Sequence, residues 1–147
     1  MDPFYIIGIS VKTTNENGKS AKDIPALWGT FFSDEIFEKI PNKISNEVYG
    51  LYSDYEGDFM APYTTTIGCK VSSIDSIPEG MVYKQISAGN YKKYTAIGDL
   101  NKGAVFTKWQ EIWGANLKRS YTTDFEVYDT RAQDPTNAEV DIFIAID

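Results

Sequence analysis

The tripeptide Glu-Val-Tyr occurs twice in this chain, at Glu47-Val48-Tyr49 and at Glu126-Val127-Tyr128. Each copy follows a helix-like segment that carries tryptophan, and each precedes a second strand-like run. Side chains alternate across a strand, so Glu and Tyr of each copy share one face and Val takes the other. Repeats this short cannot bury their apolar faces alone, which forces the two halves to pack together.

The order of elements supports two halves. Phe4 to Val11, rich in β-branched and aromatic residues, reads as a first strand. Asp23 stands as an N-cap ahead of Ile24, with Pro25 in the first helical turn. Leu27, Trp28, Phe31, Phe32, Phe37 and Ile40 then recur at helical spacing until Pro41-Asn42. Glu47 to Tyr55 and Tyr63 to Val71 read as a hairpin. Met81 to Ser87 and Tyr91 to Ile97 read as short strands, or as one strand broken by a bulge at Ala88-Gly89-Asn90. Gly98-Asp99 opens a second helix with its stripe at Val105, Trp109, Ile112, Trp113 and Leu117. Phe125 to Tyr128 and Glu139 to Ile146 close the chain, the latter apolar enough to be buried and central.

Aligning the two tripeptides sets an offset of 79 positions, from Glu47 to Glu126, and Trp28 and Trp109 follow within two residues of it. The expected fold is α+β: a tandem βαββ duplication, with pseudo-repeats at about 1–75 and 76–147 in one domain. Its antiparallel twisted sheet would carry two helices on one face and a central groove.

Composition narrows the chemistry. The net charge is −7, and the longest basic clusters, Lys92-Lys93 and Lys118-Arg119, are too short for a nucleic-acid surface. Cys69 is the single cysteine and histidine is absent, which removes intrachain disulfides, thiolate metal clusters, the common zinc sites and Ser-His or Cys-His catalysis. No cofactor or metal site is expected. The acidic stretch Asp54 to Asp58 lacks the ligand spacing of an EF-hand. Met1-Asp2-Pro3-Phe4 has no basic leader and no apolar run approaches a bilayer span, so a cytoplasmic protein is expected.

An aromatic fraction of 14% serves either core volume or a binding site. Glu126 has apolar neighbours on the opposite strand face, so it either points to water or lines the groove. In the groove its carboxylate must accept hydrogen bonds, carry a raised pKa or meet a cation. Trp28, Trp109 and Trp113 are core residues or pocket walls for planar and quaternary cations. Tyr49, Tyr63, Tyr94 and Tyr128 are candidate phenols at the rim. Glu47 with Glu126 would be a general acid/base pair if both faced the groove.

Five stretches carry a resemblance over nearly the whole chain: Ile24 to Trp28, Val48 to Tyr55, Ile86 to Tyr91, Trp109 to Trp113 and Asp124 to Tyr128. With these the chain resembles the GyrI-like effector-binding superfamily, in particular its stand-alone members similar to integron cassette effector-binding proteins. The resemblance implies a tandem βαββ fold and a glutamate, here Glu126, that attracts lipophilic cations in an aromatic pocket. It assigns Trp28, Tyr49, Trp109 and Tyr128 to the wall. The superfamily includes the drug-sensing domains of AraC- and MerR-type activators. This chain has no room for a helix-turn-helix, so direct DNA binding is not expected, and regulation would pass through a protein partner or a homodimer. Two other readings follow from the resemblance: a glutamate- and tyrosine-dependent hydrolase of reactive small molecules, and a protein-interaction module of the gyrase-inhibitor type.

Overall fold

A computed structural model describes residues 2–57 and 60–147. The elements are β1 (Phe4–Thr13), α1 (Lys19–Ser33), α2 (Ile36–Lys39), β2 (Val48–Ser53), β3 (Tyr63–Val71), β4 (Val82–Ile86), β5 (Asn90–Gly98), α3 (Ala104–Gly114), β6 (Thr123–Tyr128) and β7 (Ala138–Ile146). All seven strands join one sheet in the order β4-β1-β3-β2-β6-β7-β5, every pairing antiparallel. The order β1-β3-β2 in the first half is mirrored by β6-β7-β5 in the second. The βαββ duplication is therefore present, and its two halves meet where β2 pairs with β6.

The halves differ at β4. Val82–Ile86 pairs with β1 and Asn90–Gly98 pairs with β7, at opposite edges of the sheet. They are two strands and not one bulged strand. Only Ser87, Ala88 and Gly89 connect them, and so short a link spans no more than ~14 Å. The sheet must therefore curl until its edges approach. On its curled face Phe4, Ile6, Tyr49, Leu51, Ile86, Tyr91 and Phe125 form one apolar cluster drawn from both edges and the centre. The bend needs backbone to approach backbone at Gly8 and Gly68, which pair directly. A methyl group on Gly8 would lie 2.0 Å from the Ile67 carbonyl oxygen, and one on Gly68 would lie 2.2 Å from that of Ile7.

The opposite face carries the helices. Leu27 and Phe31 of α1, one turn apart, pack on Ile7, Ile9, Ile67 and Cys69. Trp109 and Ile112 of α3 pack on Ala96, Val140, Ile142 and Ile144. Each helix thus covers its own half, leaving a groove over β2 and β6. With both faces covered, Ile6 and Ile7 are equally inaccessible, which explains the unbroken apolar run in β1.

Helix boundaries depart from expectation in both halves. Helix α1 begins at Lys19, four residues before Asp23, and Pro25 lies inside it. It ends at Ser33, because Glu35 takes a left-handed backbone (φ 54°) before the single turn of α2. Helix α3 starts at Ala104 behind a left-handed Gly103, after a 3₁₀ turn over Leu100–Lys102. Of the acidic loop, Glu56 pairs with Lys12 and Asp54 with Lys84, while Asp58 lies outside the described residues. Among the described residues no cluster of metal-ligand type occurs, and no helix is long and apolar enough to cross a membrane.

Candidate functional site

Strand β6 brings two carboxylates to the helix-covered face. In the β2–β6 ladder Gly50 lies opposite Glu126 and Tyr52 opposite Asp124. Directly opposed residues of an antiparallel pair share a face. Val48, Gly50 and Tyr52 therefore stand with Asp124, Glu126 and Tyr128, while Tyr49 and Leu51 stand with Phe125 and Val127 on the curled face. Glu126 faces the helices and is 2% exposed.

Three neutral donors converge on the Glu126 carboxylate. Trp109 Nε1 donates to Oε2 at 2.6 Å, the Tyr52 hydroxyl to Oε2 at 2.9 Å, and the Tyr128 hydroxyl to Oε1 at 2.6 Å. Burial pushes the carboxyl pKa up from its ordinary value; the hydrogen bonds from Tyr128, Trp109 and Tyr52 pull it back without cancelling the rise. The phenols of Tyr52 and Tyr128 are held well above their usual range by burial and then by the Glu126 charge. Gly50 leaves the room this cluster needs: a methyl there would lie 3.0 Å from Glu126 Oε1 and 3.7 Å from Tyr128 Cε2.

Asp124, two residues earlier and fully buried, is treated differently. Arg119 Nη2 reaches its Oδ2 at 2.7 Å, the Tyr55 hydroxyl donates to the same oxygen, and the Ala145 amide donates to Oδ1 at 2.8 Å. One buried carboxylate thus owns a guanidinium. Glu126 has no cationic partner among the described residues.

A pocket of about 80 Å³, open to solvent, adjoins the cluster. Tyr52, Tyr55, Tyr63, Trp109, Trp113 and Arg119 line it. A larger open groove on the other side is lined by Trp28, Phe32, Val48 and Tyr128, and Ile24 of α1 and Phe106 of α3 border both spaces. Trp28 meets Tyr128 edge-on at 4.9 Å and stacks on Phe32 at 5.8 Å. Burial, first of all, pushes the Tyr63 phenol up to about 12.

The structure brings Glu126, Trp109 and Tyr128 into direct contact and sets Trp28 against Tyr128. It separates Tyr49 from them. Tyr49 lies on the curled face against Phe4 and Phe125, with its hydroxyl 3.1 Å from Glu47 Oε2. Placing Tyr49 in the wall was incorrect, and so was equating the two tripeptides: the β2–β6 register joins residues of like parity while the offset between the copies is odd, so they present opposite faces. Glu47 is at the groove edge, turned to Tyr49, and forms no pair with Glu126. Tyr52, Gly50 and Arg119 were not singled out beforehand. Tyr52 was within reach of sequence reasoning, because it alternates with Tyr49 in the same short strand; Arg119 was visible only as half of a short basic cluster.

The whole arrangement has counterparts. Residues 1–146 match the family described as integron-associated effector binding protein. The chain belongs to that family. The family lies within the GyrI-like superfamily. It is 30% identical over 144 residues to YobU of Bacillus subtilis (strain 168), provisionally described as a transcriptional regulator, covering 95% of this chain and 89% of that one. The crystal structure of the Vibrio cholerae integron cassette protein VCH_CASS2 is similar at a TM-score of 0.73 and 29% identity, over 100% of this chain and 92% of that one. The structure of SAV2435 bound to tetraphenylphosphonium has the same fold at a TM-score of 0.79 and 17% identity, over 100% of this chain and 90% of that one.

Proposed function

We propose that this effector-binding protein takes up lipophilic organic cations in the aromatic pocket over Glu126. The observation that carries the reading is the Glu126 carboxylate itself, 2% exposed, held by three neutral donors and lacking a cationic partner among the described residues. A buried carboxylate costs free energy unless its charge is compensated. Hydrogen bonding to it makes the rings of Tyr52, Trp109 and Tyr128 better hosts for a cation, since the negative charge adds to the attraction of their π faces. Trp28 supplies a further wall on the groove side. The carboxylate lies beneath the rings, so a ligand either meets its charge through them or displaces one to reach it.

Tetraphenylphosphonium, bound by the structural neighbour, is a lipophilic cation of the kind this pocket suits. The name of the YobU relative supports a regulatory role. In that role the chain acts as one cytoplasmic effector-binding domain and passes the signal to transcription through a protein partner, not by contacting DNA with an acidic surface.

The test is a titration of tetraphenylphosphonium into the wild type and Glu126→Gln, followed by tryptophan fluorescence and calorimetry. The expected loss in the variant is at least about tenfold. Equal affinities would remove the carboxylate from the mechanism.

A further inference from the structure

The pocket holds a second polar feature that cation binding leaves unused. Arg119 lines it, its side chain only 6% exposed. The segment is pinned by backbone pairing of Arg119 with Ile146 and by the Ser120 amide on the Ala145 carbonyl. Nη2 is committed to Asp124, while Nε and Nη1 are buried with no acceptor among the described residues. Tyr121 covers the guanidinium face at 4.4 Å; it is partly exposed and sits in a left-handed backbone conformation (φ 54°), outside any strand. Buried donors of a charged group are costly to leave unmade.

We infer that Arg119 is a specificity-determining ligand contact, and that the preferred effector is an organic cation that also carries a neutral acceptor oxygen, such as a ketone, amide or ester. This rests on the cation reading of Glu126. Both ends are reached across one indole: the guanidinium carbon is 6.0 Å from the Trp109 ring centre, and Nε1 of that ring is 2.6 Å from Glu126. The acceptor is neutral because Asp124 already balances the Arg119 charge. A carboxylate on the ligand would meet two buried carboxylates, Asp124 and Glu126, on the same strand face. Movement of the Tyr121 ring opens the approach to Nε and Nη1.

Three aryl trimethylammonium ions that differ only at the para position test this: ethyl, acetyl and carboxylate, each titrated calorimetrically. In the wild type the acetyl compound is expected to bind about tenfold more tightly than the ethyl compound, and the carboxylate more weakly than both. Arg119→Lys keeps a positive charge beside Asp124 but loses the planar donors. It should erase the acetyl preference, bringing the ratio of acetyl to ethyl affinity close to one. Equal binding of acetyl and ethyl in the wild type, a preference that survives in Arg119→Lys, or tightest binding of the carboxylate would each overturn the inference. If Arg119→Lys does not fold, the wild-type series decides alone. Failure of every cation to bind the wild type would instead defeat the cation reading, and this one with it.

Discussion

Gly50 stands directly across the β2–β6 ladder from Glu126, and a single methyl group added to it would lie 3.0 Å from the Glu126 carboxylate. The centre of the sheet, where the two halves meet, is thus also the floor of the candidate site. Gly50→Val should push the carboxylate off its Tyr128 hydrogen bond. We expect about 2 kcal/mol of destabilisation from overpacking and a fall in cation affinity of about tenfold or more. Denaturant unfolding and a tetraphenylphosphonium titration read the two effects; an unchanged affinity would show that the carboxylate has slack.

Glu126 makes the ligand-free protein sensitive to pH. Its folded pKa is raised above the ordinary 4.5, first of all by burial. Stability from this group is therefore full below that value and is lost as pH rises through the folded pKa. Glu126→Gln cannot ionise, and other groups contribute equally to both proteins. The melting temperature of the variant minus that of the wild type should become more positive as pH climbs from 4.5, and level off above the folded pKa. A difference that stays flat with pH would refute the raised pKa.

Cation binding should follow the same ionisation in the opposite sense. The charged carboxylate is the receptor, so affinity falls as pH drops through its folded pKa. Tyr128→Phe removes one of the bonds that pull that pKa down. Its binding midpoint should lie at higher pH than that of the wild type, with affinity at neutral pH weaker by about three- to tenfold. Coincident midpoints in calorimetric titrations across pH would count against the Tyr128 contact.

Asp124 and Arg119 form a pair with side-chain exposures of 0% and 6%. Removing one partner strands the other. Asp124→Ala should cost about 3–5 kcal/mol, because it also releases the Ala145 amide that ties β6 to β7. Urea denaturation measures this, and a loss below about 1 kcal/mol would mean that the site relaxes around the buried guanidinium.

Much of this molecule can be read in its residues. The β-branched and aromatic run of Phe4 to Ile9, the helical stripes ending at Phe31 and Ile112, and the apolar closing strand each follow from local composition and periodicity, so their element types were legible. Start points were less so. Lys19 to Lys22 carry no strong helix signal, and α1 begins there because Leu27 and Phe31 dock on β1 and β3, which lets the turn before them extend. The separation of β4 from β5 was not legible either. The two segments read as short strands or as one bulged strand, and their places at opposite edges depend on a curl at which Gly8 and Gly68 pair too closely for a Cβ.

The repeated Glu-Val-Tyr marks the same boundary between local and distant causes. Alternation within a strand is local chemistry, so the sequence alone determined that Glu126 and Tyr128 share a face and that Glu47 and Tyr49 share one. It could not determine which face receives the helices. That choice is made by the pairing register of β2 with β6, which sets Glu126 opposite Gly50 and leaves Tyr49 opposite Val127. A shift of one residue reverses every side chain in a strand. Only the tertiary structure, by burying Ile142 and Trp109 on one side and Phe125 on the other, decided that Glu126 lies under the aromatic pocket and that Glu47 does not.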